Sequence, residues 1–135
     1  MKIYIAAPWI HRGDMPDVAK KLEDKGHTIT KKWWEVKEAK EGSGKDYELR
    51  TQAEDDVRGV RNADLVLVIN SAKSEGKALE QGVAIALDKP IVIVGKRGEH
   101  SKNVFHYLPI YKWVDDLEGA LNVIDTINWL LENDN

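Results

Sequence analysis

The chain has 135 residues, with 20 Lys and Arg against 23 Asp and Glu, a formal net charge of −3 and no Cys. That length suits one domain around one core. The acidic balance gives no electrostatic ground for a nucleic-acid polymer as partner, and the lack of Cys excludes disulfides, thiolate catalysis and thiolate metal sites.

KIYIAA (2–7) is a short apolar run stopped by Pro8 and reads as a buried first strand. The opening MKIYIAAPWIHRGD is apolar over too short a stretch for a signal peptide. No apolar run approaches the roughly 18 residues of a membrane span. A cytoplasmic protein with no membrane partner is expected. DMPDVAKKLEDKG (14–26) places Val18 and Leu22 on one helical face and closes at Gly26. HTITKKW (27–33) has β-branched character and reads as a second strand, and the charged EVKEAKEGSGKD (35–46) as a loop.

DYELRTQAEDDVRGVRNA (46–63) has helical spacing and runs into the very apolar strand ADLVLVIN (63–70). A helix over 75–88 follows, with Leu79, Val83, Ala86 and Leu87 as its expected buried stripe, and then the strand KPIVIVG (89–95). KRGEHSKNVFHYLP (96–109) reads as a loop or broken turn and IYKWV (110–114) as a last strand. DDLEGALNVIDTINWLL (115–131) is a closing amphipathic helix, with Leu117, Leu121, Ile124, Ile127 and Leu131 on one side.

Strands that alternate with helices build a parallel sheet covered on both faces, and right-handed crossovers leave few topologies. The expectation is an α/β, doubly wound, flavodoxin-like sheet of five parallel strands in the order 2-1-3-4-5, forming a single domain over residues 1–135. Such sheets bind ligands beyond the carboxyl ends of their strands. Those ends lie at 7–14, 32–46, 70–80 and 95–107.

Several chemistries fail there on residue type. No G-x-G-x-x-G follows the first strand and no Walker lysine loop is present. His11, His27, His100 and His106 lack metal-ligand spacing. A phospho-receiver needs acids after strand one and an Asp after strand three, where this chain has Ala6, Ala7, Pro8 and Asn70.

Glu80 stands out in SEGKALEQGVAIALDKPIVIVG (74–95), between Gly76 and Gly82. Ser74 is the expected N-cap. Helical side chains lean toward the N-terminus, so Glu80 leans toward the carboxyl edge of the sheet. Gly76 and Ala84, one turn to either side, leave open space beside the carboxylate. A solvent-facing Glu near a helix start would gain roughly 0.3–1 kcal/mol from the dipole. It would not need two glycines that each cost roughly 1 kcal/mol relative to Ala. A carboxylate in a cleft serves as nucleophile or proton carrier, and each role often needs a second acid. Glu54, Asp55 and Asp56 are the candidates, and adjacent helical residues point about 100° apart. One of Asp55 and Asp56 at most faces the cleft, and the local pattern does not choose.

Four segments in order resemble the nucleoside 2-deoxyribosyltransferase family and its relatives, the 2′-deoxynucleoside 5′-monophosphate N-glycosidases. They are IYIAAPW (3–9), DVRGVRNADLVLV (56–68), the G-x-x-x-E-x-G helix and strand of 74–95, and NVFHYLP (103–109), and together they cover nearly the whole chain. The resemblance implies that Glu80 is the nucleophile that attacks the anomeric carbon of a deoxyribose. Asp56 then binds the sugar or handles the proton of the leaving base, and Tyr4 is a first-strand tyrosine beside the nucleophile. Trp9 matches an aromatic of the base pocket. Ser74 and Gly76 face the sugar, with Ser74 at the position that reads a 5′-hydroxyl or 5′-phosphate. Arg12 lies near enough in sequence to assist with a phosphate. Asn103 resembles a residue donated across a subunit interface, which implies a homodimer or higher homo-oligomer.

The implied reaction is cleavage or transfer of the N-glycosidic bond of a 2′-deoxynucleoside through a covalent deoxyribosyl-enzyme, on a small-molecule deoxynucleoside or deoxynucleotide, with no metal or organic cofactor. Base transfer is placed first and 5′-monophosphate hydrolysis second. A nucleotide-binding module without turnover is the alternative of a different class.

Overall fold

β1 (Lys2–Ala6), β3 (Leu65–Ile69) and β4 (Ile91–Val94) are apolar on both faces apart from Lys2 at the rim. Only a sheet covered on both sides accommodates such strands. The computed structural model describes residues 1–36 and 44–134. Residues 37–43, most of the charged stretch read above as a loop, lie outside them. β2 (Thr28–Ile29) and β5 (Tyr111–Val114) complete the order β2-β1-β3-β4-β5, every pair parallel. The register sets Tyr4 opposite Val66, Val66 opposite Ile91 and Ile91 opposite Tyr111.

Among the described residues four α-helices cover the sheet: α1 (Met15–Glu23), α2 (Asp46–Asn62), α3 (Glu75–Ala86) and α4 (Leu117–Asn133). α2 and α3 pack on each other and on β1, α1 packs on β2, and α4 packs on β4 and β5. Among the described residues no helix is long and apolar enough to cross a membrane. The core runs through Ile3, Ile5, Leu65, Leu67, Ile91 and Ile93, all fully buried.

Two elements depart from the sequence reading. The second strand spans two residues rather than seven, and Trp33 and Trp34 sit on a 3-10 turn, Trp33–Glu35. β1 outruns β2, which leaves the Ile5 carbonyl without a strand partner, and the Trp33 indole N–H donates to it at 2.7 Å. A buried carbonyl needs such a partner, so the chain folds in over β1 instead of running on. In α3 the buried residues are Lys77, Gln81 and Ala84, whereas Leu79 is 74% exposed and Ala86 and Leu87 are also exposed. Apolar residues occur all round this helix, so their spacing selects no face. Hydrogen bonds to Asn70, Ala72 and Tyr111 allow the two polar side chains to face inward. In α4 Leu131 is exposed, while Ala120 and Ile124 carry the contact with the sheet.

Candidate active site

Tyr4 lies in the middle of β1 and is fully buried, with its ring under α2 and its hydroxyl toward α3. That hydroxyl donates a hydrogen bond to Oε2 of Glu80. Ser74 caps α3, its Oγ accepting from the Lys77 N–H at 3.1 Å, and the helix start presents Glu80 from its second turn. Glu80 and Tyr4 are 76 positions apart in sequence, so the pair exists only because β1 and β3 are neighbours and α3 leaves from the end of β3.

α2 supplies the second acid. Asp56 lines the cavity that holds Glu80, whereas Asp55 pairs with Arg58 at 2.8 Å and Lys31 at 3.9 Å, and Glu54 pairs with Arg50 at 3.0 Å. The helix therefore selects the one acid that the sequence left open. One turn on, Gly59 lets α2 lie against the Tyr4 ring, and its carbonyl accepts from Thr30 Oγ1 at 2.7 Å.

The cavity has a volume of about 280 Å³, with Trp9, Trp33, Asp56, Ser74, Gly76 and Glu80 in its wall. A neighbouring cavity of about 220 Å³ shares Trp9, Trp33 and Asp56 and adds Lys31 and Gln52. The two indoles stand 6.0 Å apart between centroids, tilted by 35°. Flat apolar faces of this kind hold a flat heterocycle by stacking. A hydrogen bond between the His11 ring and the Ser71 hydroxyl ties the Trp9-bearing segment to the loop after β3.

Arg12 is exposed and lines neither cavity; its guanidinium lies 4.6 Å from the Trp9 ring centroid and donates to the Trp9 carbonyl at 3.0 Å. Gly76 opens the wall beside Glu80, but Gly82 opens onto a different cavity on the far side of α3. Asn103 caps the 3-10 turn Val104–Tyr107, its Oδ1 accepting from the His106 N–H at 3.2 Å, and lines that same far cavity. Within one chain it does not meet Glu80. Gly59, Lys31 and Lys77 were missed. A glycine inside a helical pattern was the available signal for Gly59, and none marked the two lysines.

Burial governs the charges. It pushes the Glu80 carboxyl up to about 8; Asp56 nearby adds to this and the Tyr4 hydrogen bond opposes it. Asp56 is pushed up to about 6, again by burial, with Lys31 opposing and Asp55 adding. The Tyr4 phenol is driven far above its ordinary value by burial and by both carboxyl groups, so it acts only as a donor. The site thus has two proton-binding groups near neutrality beside a fixed donor, an arrangement suited to acid–base and nucleophilic work.

A family model described as nucleoside 2-deoxyribosyltransferase matches residues 3–122. The chain belongs to the nucleoside 2-deoxyribosyltransferase family. Among solved structures it is similar to a 2-deoxyribosyltransferase from Bacillus psychrosaccharolyticus, at 26% identity and a TM-score of 0.65, over 90% of this chain and 91% of that one. It also shares its fold with a CMP N-glycosidase from Clostridium botulinum, at 17% identity and a TM-score of 0.62, over 94% of this chain and 99% of that one. Against curated protein sequences the chain has no significant match. The family and the deoxyribosyltransferase neighbour agree on a glycosyl-transferring enzyme of this fold.

Proposed function

We propose that this enzyme breaks the N-glycosidic bond of a 2′-deoxynucleoside with Glu80 as nucleophile, and passes the sugar to a second base. The observation that carries the reading is the Tyr4–Glu80 hydrogen bond at a cavity that also holds Asp56 and two indole faces. In the first step a Glu80 oxygen bonds to C1′ while the C1′–N bond breaks, and its electron pair leaves with the base. Asp56 delivers a proton to the base nitrogen. The charge that builds on the sugar ring is met by the Glu80 carboxylate from the opposite face, as in retaining glycoside hydrolysis. In the second step an acceptor base attacks C1′ and releases Glu80, with Asp56 taking its proton. Trp9 and Trp33 form the stacking walls, and the acceptor takes the place the first base has left, on the face of the sugar opposite Glu80.

The functional unit in this reading is a homo-oligomer in which Asn103 serves a neighbouring site. Leu79, Val104 and Phe105, at 74%, 78% and 58% exposure, lie along the face that a second copy would cover.

The test is chromatography of the protein with each deoxynucleoside and each deoxynucleoside 5′-monophosphate, with and without a second free base, beside Glu80→Ala. A new nucleoside that forms only with acceptor present, and is lost in Glu80→Ala, supports transfer. Free base released with no exchange moves the assignment to hydrolysis. No base release from any substrate overturns the enzymatic reading.

A further inference from the structure

Trp9, a half-buried indole in the wall of the Glu80 cavity, stands on the 3-10 turn Trp9–Asp14, which contains no buried residue. Ala7 before the turn and Met15 after it are buried, so the chain between them is anchored only at its ends. Without apolar burial, the position of such a turn rests on individual contacts. On one side Trp9 meets Trp33, at 6.0 Å between centroids. On the other, the His11 ring is hydrogen-bonded through Nδ1 to the Ser71 hydroxyl. Arg12 reaches only back to Trp9 itself. A cavity of about 320 Å³ has His11, Ser71, Met15 and Ile69 in its wall. Packing under the turn is therefore incomplete, and the His11–Ser71 bond bridges the gap.

Ser71 is exposed, yet it sits between two tightly held neighbours. Lys77 is only 3% exposed, and its ammonium donates to Asn70 Oδ1 at 2.7 Å and to the Ala72 carbonyl at 2.8 Å. Hydrogen bonds from a charged donor are roughly twice as strong as neutral ones. Asn70 is held a second time, its amide donating to the Glu99 carbonyl at 3.0 Å and its backbone N–H to the Val94 carbonyl at 3.0 Å. The loop that carries Ser71 is thus fastened to α3 one turn before Glu80. A continuous set of bonds runs from the helix that presents Glu80, through Lys77, the loop 70–72 and His11, to the turn that carries Trp9.

We propose that His11 and Ser71 are positioning residues for the base: their hydrogen bond fixes the Trp9 indole relative to α3, so that a base stacked on it holds C1′ within reach of Glu80. This rests on the reading that places the base against Trp9 and the sugar at Glu80. Neither side chain needs to touch the substrate. A hydroxyl both donates and accepts, so the bond forms with either tautomer of the imidazole and serves to hold rather than to pass a proton. Loss of the bond frees the wall without disturbing Glu80, Asp56 or Tyr4, none of which contacts it. The cost therefore falls on binding of the base, and the chemical step is largely spared.

The experiment has an exchange arm and a turnover arm, on wild type, Ser71→Ala, His11→Phe, their double variant, and the conservative Ser71→Thr and His11→Asn. In the first arm, amide hydrogen exchange of residues 8–14 is followed without ligand. It should quicken about two- to tenfold in Ser71→Ala and His11→Phe, the scale of one neutral hydrogen bond, with β1 and α3 unchanged. In the second arm, KM for a deoxynucleoside rises by a similar factor while kcat changes little. The double variant loses no more than either single one, because both remove the same bond. Ser71→Thr and His11→Asn return towards wild type in both arms. Unchanged exchange, faster exchange with unchanged KM, or additive losses overturn the proposal. Trp9→Ala is run beside them to test the reading underneath. If it leaves KM unchanged, or if wild type turns over no deoxynucleoside, that reading has failed and the role in base positioning falls with it, whereas the exchange arm still decides whether the bond holds the turn. Ser71 is exposed, so Ser71→Ala leaves the core intact.

Discussion

Gly59 of α2 brings its helix so close to β1 that a Cβ on it would lie 2.9 Å from Cδ2 of Tyr4, and also 2.9 Å from Cβ of Lys31. Neither neighbour has room to retreat, since Tyr4 is fully buried and the Lys31 contact is near the backbone. Gly59→Ala gains about 1 kcal/mol of helix propensity but forces a small-to-large strain of about 1–3 kcal/mol. The expected outcome is a lower melting temperature. Activity falls further than the stability loss explains, because the displaced ring is the one that presents its hydroxyl to Glu80. Thermal unfolding and kcat measured on the same preparation check both.

Tyr4→Phe isolates that hydroxyl. The ring volume is kept, so the core should hold. Glu80 loses the donor that favours its charged form and holds it in place, and a hydrogen bond to a charged group is worth about 1.5–3 kcal/mol, roughly 10–100-fold in kcat. The expected loss is of that order, with KM changed little. A kcat within a few-fold of wild type would remove Tyr4 from the proposed machinery.

The pH profile follows from the two acids. Asp56 lies near 6 and Glu80 near 8, so between those values the pair holds one proton. The two values put that proton mainly on Glu80; the reaction uses the minor arrangement of the singly protonated pair, with the proton on Asp56 and the charge on Glu80, which the Tyr4 hydrogen bond favours. kcat/KM should therefore rise around pH 6 and fall around pH 8, and the two values belong to the pair rather than to either residue. Lys31 holds the Asp56 carboxyl down, so Lys31→Met should move the rising limb to higher pH. Profiles from about pH 5 to about pH 9 check both statements.

The sheet was legible because its order follows from five apolar runs that alternate with helices, and the order β2-β1-β3-β4-β5 stands as expected. Glu80 was singled out by its flanking glycines, of which Gly76 lines its cavity while Gly82 opens on the far side of α3. What the sequence hid is tertiary. HTITKKW has strand-like residues throughout, yet strand pairing ends at Ile29, and the indole of Trp33 satisfies Ile5 instead. Lys77 and Gln81 look like solvent-facing residues at any spacing, and only Asn70 and Ala72 from the loop after β3 and Tyr111 from β5 make them interior ones. Helical spacing alone did not separate Asp55 from Asp56; the resemblance named Asp56, and the ion pairs of Asp55 with Arg58 and Lys31 leave Asp56 at the cavity.

A stability cost at Glu80 is the last expectation. Its folded-state proton affinity is raised from 4.5 to about 8, mainly by burial. A raised acid favours folding fully below the unfolded value and loses that contribution as pH climbs through the folded one. Each tenfold change in proton affinity is worth about 1.4 kcal/mol, so above pH 8 the buried carboxylate costs on the order of a few kcal/mol. Glu80→Gln keeps the shape, carries no charge and still offers Tyr4 an oxygen. It should match wild type in urea unfolding near pH 4.5 and become progressively more stable than wild type as the pH is raised to about 8, while losing catalysis. A gain that does not grow with pH would mean that the carboxylate is solvated in the folded protein, and the buried-nucleophile account would fall with it.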